Sequence, residues 1–170
     1  MEDKIIEGLA YALPALVTGG VAYFIFSGFL KQENSEKKLE LLAEKKKESL
    51  PVKLQAYERM LLFCERINPV KLLLRVKPIG DNTDAYLQLL LANIDQEFDH
   101  NLVQQLYIGD ECWNVIIASK SAVINTLKQI ANTSESASDF RENVLLEYSK
   151  KVPQTDTAIA FLKNDVRKLL

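Results

Sequence analysis

The hydrophobic pattern of this chain begins with one uncharged stretch and continues as a series of amphipathic segments. Between Gly8 and Leu30 there is no Asp, Glu, Lys, Arg or His, and Glu7 and Lys31 bound the stretch. A helix that crosses the hydrocarbon core of a membrane needs about 20 predominantly apolar residues. The pattern therefore predicts a transmembrane helix over residues 8–30.

Two alternatives compete with a spanning helix for this stretch. A cleaved signal peptide has an apolar core of about 7–15 residues behind a basic leader. Here the stretch is longer, its leader MEDKIIE is acidic, and no convincing cleavage site follows it. The other alternative is a buried helix of a soluble domain. Length and flanking sequence favour the spanning helix.

Small residues recur within the stretch at spacings of three and four, which places them on one helix face. Such a face lets transmembrane helices approach each other closely, but small residues are also ordinary components of membrane helices. A helix–helix interface and an ordinary composition both stay open. The candidate packing residues are Gly8, Ala12, Ala15, Gly19 and Ala22.

Flanking charge predicts the orientation of the span. Lys4 is the only basic residue before it, whereas six lysines follow within residues 31–47. Lys and Arg concentrate on the cytoplasmic side of membrane proteins. We therefore expect residues 1–7 to lie outside the cytoplasm and residues 31–170 to lie within it.

Residues 31–49 are almost all charged or helix-favouring and predict a helical stalk. Residues 31–77 hold twelve Lys/Arg and seven Asp/Glu, whereas residues 78–170 hold eight and thirteen. A basic segment close to a membrane is attracted to anionic headgroups by about 1 kcal/mol per residue, although a solvated helix face has the same composition. The candidate lipid-facing residues are Lys37, Lys38, Lys45, Lys46 and Lys47.

The pattern beyond residue 50 is helical. Pro51 fits the first turn of a new or kinked helix that stops at Asn68–Pro69, and residues 70–76 suit a strand or, with Pro69 before them, a short helix. From Thr83 to Ile108 a stripe that includes Leu102 and Leu106 is expected to face the core. Three further helices are predicted at about 110–131, 139–152 and after 155. The sequence thus predicts an all-α fold with a transmembrane helix (8–30), a stalk (31–49) and a cytoplasmic antiparallel bundle of four or five helices (50–170).

Two segments of the bundle carry a resemblance. One is LPVKLQAYER, residues 50–59, with its continuation to Pro69, and the other is EFDHN, residues 97–101, with Gln104, Gln105 and Tyr107. Together with the N-terminal stretch they resemble a family of small membrane-anchored proteins of Bacteroidota-type bacteria that has no assigned function. The resemblance implies a location in the bacterial inner membrane. It implies no activity, cofactor or catalytic residue.

Candidate chemistry in the sequence is sparse. Glu97 and His100 are spaced as half of a di-iron carboxylate site, but His100 is the only histidine, so one chain cannot complete such a site. Cys64 and Cys112 lie in apolar helical patterns and are expected to be buried free thiols. There is no Gly-rich phosphate loop, and the distal half is acidic. We expect no metal, no cofactor, no small-molecule substrate and no nucleic-acid partner.

Polar residues beside the apolar stripe form the candidate site. Buried polar groups need hydrogen-bond partners, and polar residues of the preceding helix could supply them. An internal polar network, a partner-binding face and a solvated face all stay open. The set comprises Tyr57, Arg59, Arg66, Glu97, His100, Asn101, Gln104 and Gln105.

An anchor, a stalk and a bundle without a catalytic constellation predict a non-catalytic adaptor or accessory subunit tethered to a membrane. Its helical domain would face protein partners, and either another membrane protein or a second copy of the chain would join it. The alternative is a membrane-surface organiser that binds anionic lipid through the Lys-rich stalk. An enzyme with an unfamiliar site is a third interpretation.

Overall fold

The computed structural model describes the backbone of residues 2–170 and the side chains of residues 14, 17–34 and 36–170. Within residues 2–170 the fold is all-α, with six α-helices, one short 3-10 helix and no strand. Contacts divide the chain into two compact units, Met1–Ser49 and Leu50–Leu170. The helices are α1 (Glu2–Ile67), α2 (Pro69–Arg75), α3 (Thr83–Asn101), the 3-10 helix η1 (Leu102–Leu106), α4 (Asp110–Ala131), α5 (Ala137–Lys150) and α6 (Gln154–Leu169).

The first unit consists of the longer part of α1. Its charged half, residues 31–49, is helical and exposed at every described side chain. Lys37 pairs with Glu33 at 2.7 Å in the i,i+4 arrangement, which is worth a few tenths of a kcal/mol on an exposed helix, about 0.2–0.5 kcal/mol. The stalk is therefore a helix whose stability rests on intrinsic propensity and local pairs.

The structure describes only some of the side chains in the predicted span, residues 8–30. Residues 8–13, 15 and 16 lie outside them, and with them three of the candidate packing residues, Gly8, Ala12 and Ala15. The other two, Gly19 and Ala22, are exposed. Within the described part of the chain, no helix combines the length and the apolar character that crossing a membrane requires.

Helix α1 continues through Pro51, where the sequence predicts a new or kinked helix. Proline inside a helix costs about 3 kcal/mol, because it removes a backbone hydrogen bond and clashes with the preceding turn. Downstream, Met60, Phe63 and Ile67 have no solvent exposure. Burying one such side chain is worth about 1.5–3 kcal/mol, so the packing of this part of α1 outweighs the proline penalty.

The core of the second unit lies between the C-terminal part of α1 and helices α3 to α6. Helix α4 packs most extensively against α6, and α2 packs against α5. A row of aromatic rings joins three helices, with centroid separations of 5.7 Å from Phe63 to Phe98 and 5.8 Å from Phe98 to Trp113. Such tilted pairs add about 0.5–1.5 kcal/mol each to the burial of the rings. The fully buried side chains include Met60, Leu73, Leu90, Ile94, Ile116, Leu127, Phe140 and Leu162.

Local signals explain the helix boundaries. Residues 69–75 form a helix, because Pro69 suits its first position and the Asn68 side chain accepts a hydrogen bond from the Lys71 N–H. Helix α5 begins at Ala137, two residues before the predicted start, because the Ser136 hydroxyl accepts from the Asp139 N–H. Both are N-cap contacts of side chains that prefer this position.

Helix α3 ends at Asn101 rather than at residue 108. The chain tightens into η1 over residues 102–106, a common way for an α-helix to finish. This brings Ile108 into the core and leaves Leu102 and Leu106 on the surface, so their predicted place in the core stripe is wrong.

Asn68 is the buried polar residue on which we expect the second unit to depend most. Besides capping α2, its side-chain NH₂ donates to the buried Thr155 hydroxyl of α6. Asn68→Ala should lower the free energy of unfolding by about 2–3 kcal/mol, because a cap and a buried hydrogen bond are both lost. Trp113, the single tryptophan, makes fluorescence in a urea titration the measurement. Asn164→Ala, at an exposed position of α6, is the control, and an equal effect of both changes would contradict the assignment.

Candidate functional site

Glu97 on α3 is the centre of the polar cluster. The Arg66 Nη1 donates to both carboxylate oxygens, at 3.0 and 2.9 Å, and the Arg75 Nη1 donates to Oε1 at 2.7 Å. The Glu97 side chain is only 12% exposed. One carboxylate therefore joins the C-terminal turn of α1, the last turn of α2 and the second half of α3.

The two guanidinium groups set the ionisation of Glu97. Partial burial by itself would raise the pKa of this carboxyl, but the hydrogen bonds from Arg75 and Arg66 outweigh burial and hold the pKa below its usual value of 4.5. Glu97 is thus ionised at neutral pH. Because two cations surround one anion, the cluster keeps an excess positive charge.

A cavity of about 420 Å³ opens beside this cluster, between α1 and α3. The Asn101 side-chain NH₂ donates to the Glu97 backbone carbonyl at 2.8 Å, so its hydrogen bond lies within α3 and does not reach another helix. Arg59 and His100 are exposed at the rim and form no ion pair with the other described residues. The cavity walls are formed by Arg59, Leu62, Phe63, Arg66, Glu97, His100 and Asn101.

The remaining predicted site residues lie outside this cavity. The Tyr57 hydroxyl donates to Asp165 of α6 at 3.1 Å, and burial, followed by the nearby carboxylate, raises the pKa of Tyr57 to about 12. Gln104 is half-buried and Gln105 is exposed, both on η1. The structure thus brings Arg59, Arg66, Glu97, His100 and Asn101 together and places Tyr57, Gln104 and Gln105 apart from them.

Apolar side chains are exposed on η1, directly after the cavity residue Asn101. Leu106 is 75% exposed and Val103 is 63% exposed, and Leu102 and Tyr107 are also exposed. Neighbouring exposed apolar side chains mark interaction sites more often than isolated ones do. We call residues 102–107 the η1 surface.

The chemistry of the described side chains is limited. Burial raises the pKa of Cys64 to about 12 and that of Cys112 to about 11, so both thiols stay protonated at neutral pH. Both cysteines are free and buried, as the apolar pattern predicts. Among the described residues, no group of three or more His, Cys, Asp or Glu side chains could hold a metal ion.

Comparison with known proteins assigns a family. The sequence model of DUF7935, a family of unknown function, matches residues 3–169. The chain belongs to this family. No curated protein and no solved structure matches the chain. The DUF7935 match agrees with the sequence resemblance in that neither brings an assigned function, and the membrane anchor and the bacterial group stay predictions.

Two features of the site escape sequence reasoning. Arg75 lies in a segment whose apolar pattern suits a strand or a helix, with Pro69 favouring the helix, and this pattern does not indicate that Arg75 reaches Glu97. The exposure of the η1 surface was missed because Leu102 and Leu106 keep the spacing of the core stripe. Only the change from α-helix to 3-10 helix after Asn101 turns them outward.

Replacing Glu97 with Gln should remove a pH-dependent part of the stability. Since the folded pKa of Glu97 lies below 4.5, its contribution is complete above the unfolded value and is lost as the pH falls through the folded value. At neutral pH we expect Glu97→Gln to cost about 1 kcal/mol, because the arginines are partly solvated. The difference from the unchanged protein should shrink as the pH falls well below 4.5.

Urea titrations followed by Trp113 fluorescence at several pH values measure this difference. Glu142→Gln, at an exposed position of α5 that forms no ion pair with other described residues, is the matched control and should have no such pH profile. A loss for Glu97→Gln that stays constant across the pH range would contradict the ion-pair account.

Proposed function

We propose that this chain is a non-catalytic adaptor or accessory subunit that is tethered to a membrane and presents its helical unit, Leu50–Leu170, to protein partners. The observation that carries the proposal is the η1 surface, where apolar side chains lie exposed beside a cavity with a basic rim. Protein interfaces combine an apolar centre with aromatic and Arg residues and a polar rim. The η1 surface and its neighbour Arg59 offer this combination.

Exposed aromatic residues of α1 support the tether. Phe24 is 80% exposed and Tyr23 is 77% exposed, and Phe26 and Phe29 are exposed as well. A helix that is apolar on all sides is normally covered by a protein core or by lipid. We therefore propose that residues 8–30 cross a membrane, which the sequence resemblance suggests is a bacterial inner membrane. Flanking charge favours an N-terminus outside and a stalk and bundle in the cytoplasm.

Helical continuity supports the adaptor arrangement. The stalk, residues 31–49, and the first helix of the second unit belong to one helix, α1. The partner we propose is a membrane protein or a second copy of the chain that reaches the η1 surface from the cytoplasm.

One observation favours the lipid organiser as a second candidate. Lys45, Lys46 and Lys47 are exposed and form no ion pair with the other described residues. Three free cations in a row attract an anionic surface. Attachment of this kind weakens as salt rises, whereas a spanning helix is not released by salt.

Charged substitutions on η1 test the adaptor function. Val103→Glu with Leu106→Glu should abolish the stoichiometric partner that co-purifies with tagged full-length protein from native membranes in mild detergent, because each carboxylate would be buried unpaired in the interface. Both positions are exposed, so stability should change by no more than about 0.5 kcal/mol. Mass spectrometry of the purified complex is the measurement.

Leu146→Glu, at an exposed apolar position of α5, is the matched control and should leave the partner bound. A partner that survives the double change on η1, or a chain that never carries a stoichiometric protein or a second copy, would contradict the proposal.

A further inference from the structure

A second surface lies between α1 and α6, and none of its lining residues belongs to η1. Two cavities of about 330 Å³ each lie between these helices, and Lys163 lines both. They are therefore neighbours along one helix pair, and we call them together the α1–α6 groove. The floor of the first cavity is apolar, formed by Leu54 and Leu61 from α1 and by Leu162 and Val166 from α6. The second cavity is lined by Ile159 and Ala160 together with charged side chains. The volume of each cavity falls in the range that takes a large side chain or small ligand, about 300–1,000 Å³.

The groove has the length of a short helix. Leu54 lies with Val166 at one end, and Glu65 lies with Asp156 at the other, so α1 and α6 run antiparallel along it. Eleven residues separate Leu54 from Glu65, which corresponds to about 16 Å at 1.5 Å per residue. A helix of about three turns would cover this distance.

The rims of the groove carry opposite charges. At the far end of the groove the exposed Asp156 makes the α6 side acidic. Around the first cavity Glu58 stands on the α1 side, and Lys163 and Arg167 stand on the α6 side, all exposed. No ion pair within the described part of the chain involves these three residues, whereas Glu65, farther along the α1 rim, already pairs with Lys71. The charges therefore face each other across an apolar floor without bridging it. They are available to a charged partner that fills the groove.

We propose that this groove binds an amphipathic helix of a protein partner, whose apolar side chains enter the floor between an acidic edge against α6 and a basic edge against α1. Helix-in-groove recognition uses apolar anchors at i, i+3, i+4 and i+7 for affinity. Charged rims act on the choice of partner and on its association rate. The inference rests on the proposed adaptor function, because it supplies that function with a partner class and a second docking site.

Binding of designed peptides to full-length protein in mild detergent tests the proposal. One labelled peptide of 14 residues carries a leucine stripe with Glu along one edge and Lys along the other. A second peptide has the same composition, with Glu and Lys mixed on both edges. In fluorescence anisotropy we expect the segregated peptide to bind at least tenfold more tightly, and K163E/R167E to weaken its binding at least tenfold.

K128E/K150E is the matched control, because Lys128 and Lys150 are exposed and free of ion pairs with described residues. It should leave the affinity unchanged. Equal binding of the two peptides, or unchanged binding by K163E/R167E, would overturn the proposal. A dimer that K163E/R167E dissociates in light scattering would also overturn it, since the occupant would then be a second copy.

The outcomes separate this inference from the adaptor function. Suppose that a native partner is lost when η1 is changed, and that the protein binds both peptides equally. The adaptor function is then supported and the groove proposal is overturned. If the protein prefers the segregated peptide but no native partner co-purifies, the adaptor function is overturned and the groove proposal is supported.

Discussion

The second unit is built on the last part of α1. Met60, Phe63 and Ile67 are fully buried, and the Phe63 ring packs against Phe98 of α3. Through Arg66 this stretch reaches α3 and α2 at Glu97, and through Tyr57 it reaches α6 at Asp165. The bundle has no separate first helix, because the helix that begins near the N-terminus also forms its core.

The distribution of charge and apolar surface follows from this arrangement. Glu97 forms ion pairs with both Arg66 and Arg75. Arg59 and His100, at the cavity rim, form no ion pair with other described residues. After Asn101 the chain turns its apolar side chains outward on η1. On the other side of α1 the groove with α6 keeps its opposite charges apart. The cavity beside Glu97 and the α1–α6 groove are both lined by residues of α1, and both combine apolar side chains with charges that form no ion pair with other described residues.

Sequence patterning predicts the all-α class and the buried state of both cysteines, and Pro69 favours a helix over a strand for the segment after it. These features depend on local signals, such as Pro69 in a first turn and the apolar spacing of three and four. Three details were out of reach. Pro51 stays helical because tertiary burial outweighs a local penalty. Residues 102–106 leave the α-helix although their spacing is unchanged. Tyr57 pairs with Asp165, 108 residues away, and nothing local indicates that pairing.

The central claim is that the apolar stretch of α1 holds the bundle at a membrane, and alkaline carbonate extraction of native membranes tests it most directly. Full-length protein should stay in the membrane pellet after both high salt and carbonate, because an embedded helix depends on neither charge nor peripheral contacts. Phe24→Arg with Phe26→Arg should shift the chain to the supernatant, whereas Gln32→Arg, just beyond the stretch, should not. Release of the unchanged protein by salt would favour lipid binding through the stalk lysines, and its release by carbonate would contradict the tether.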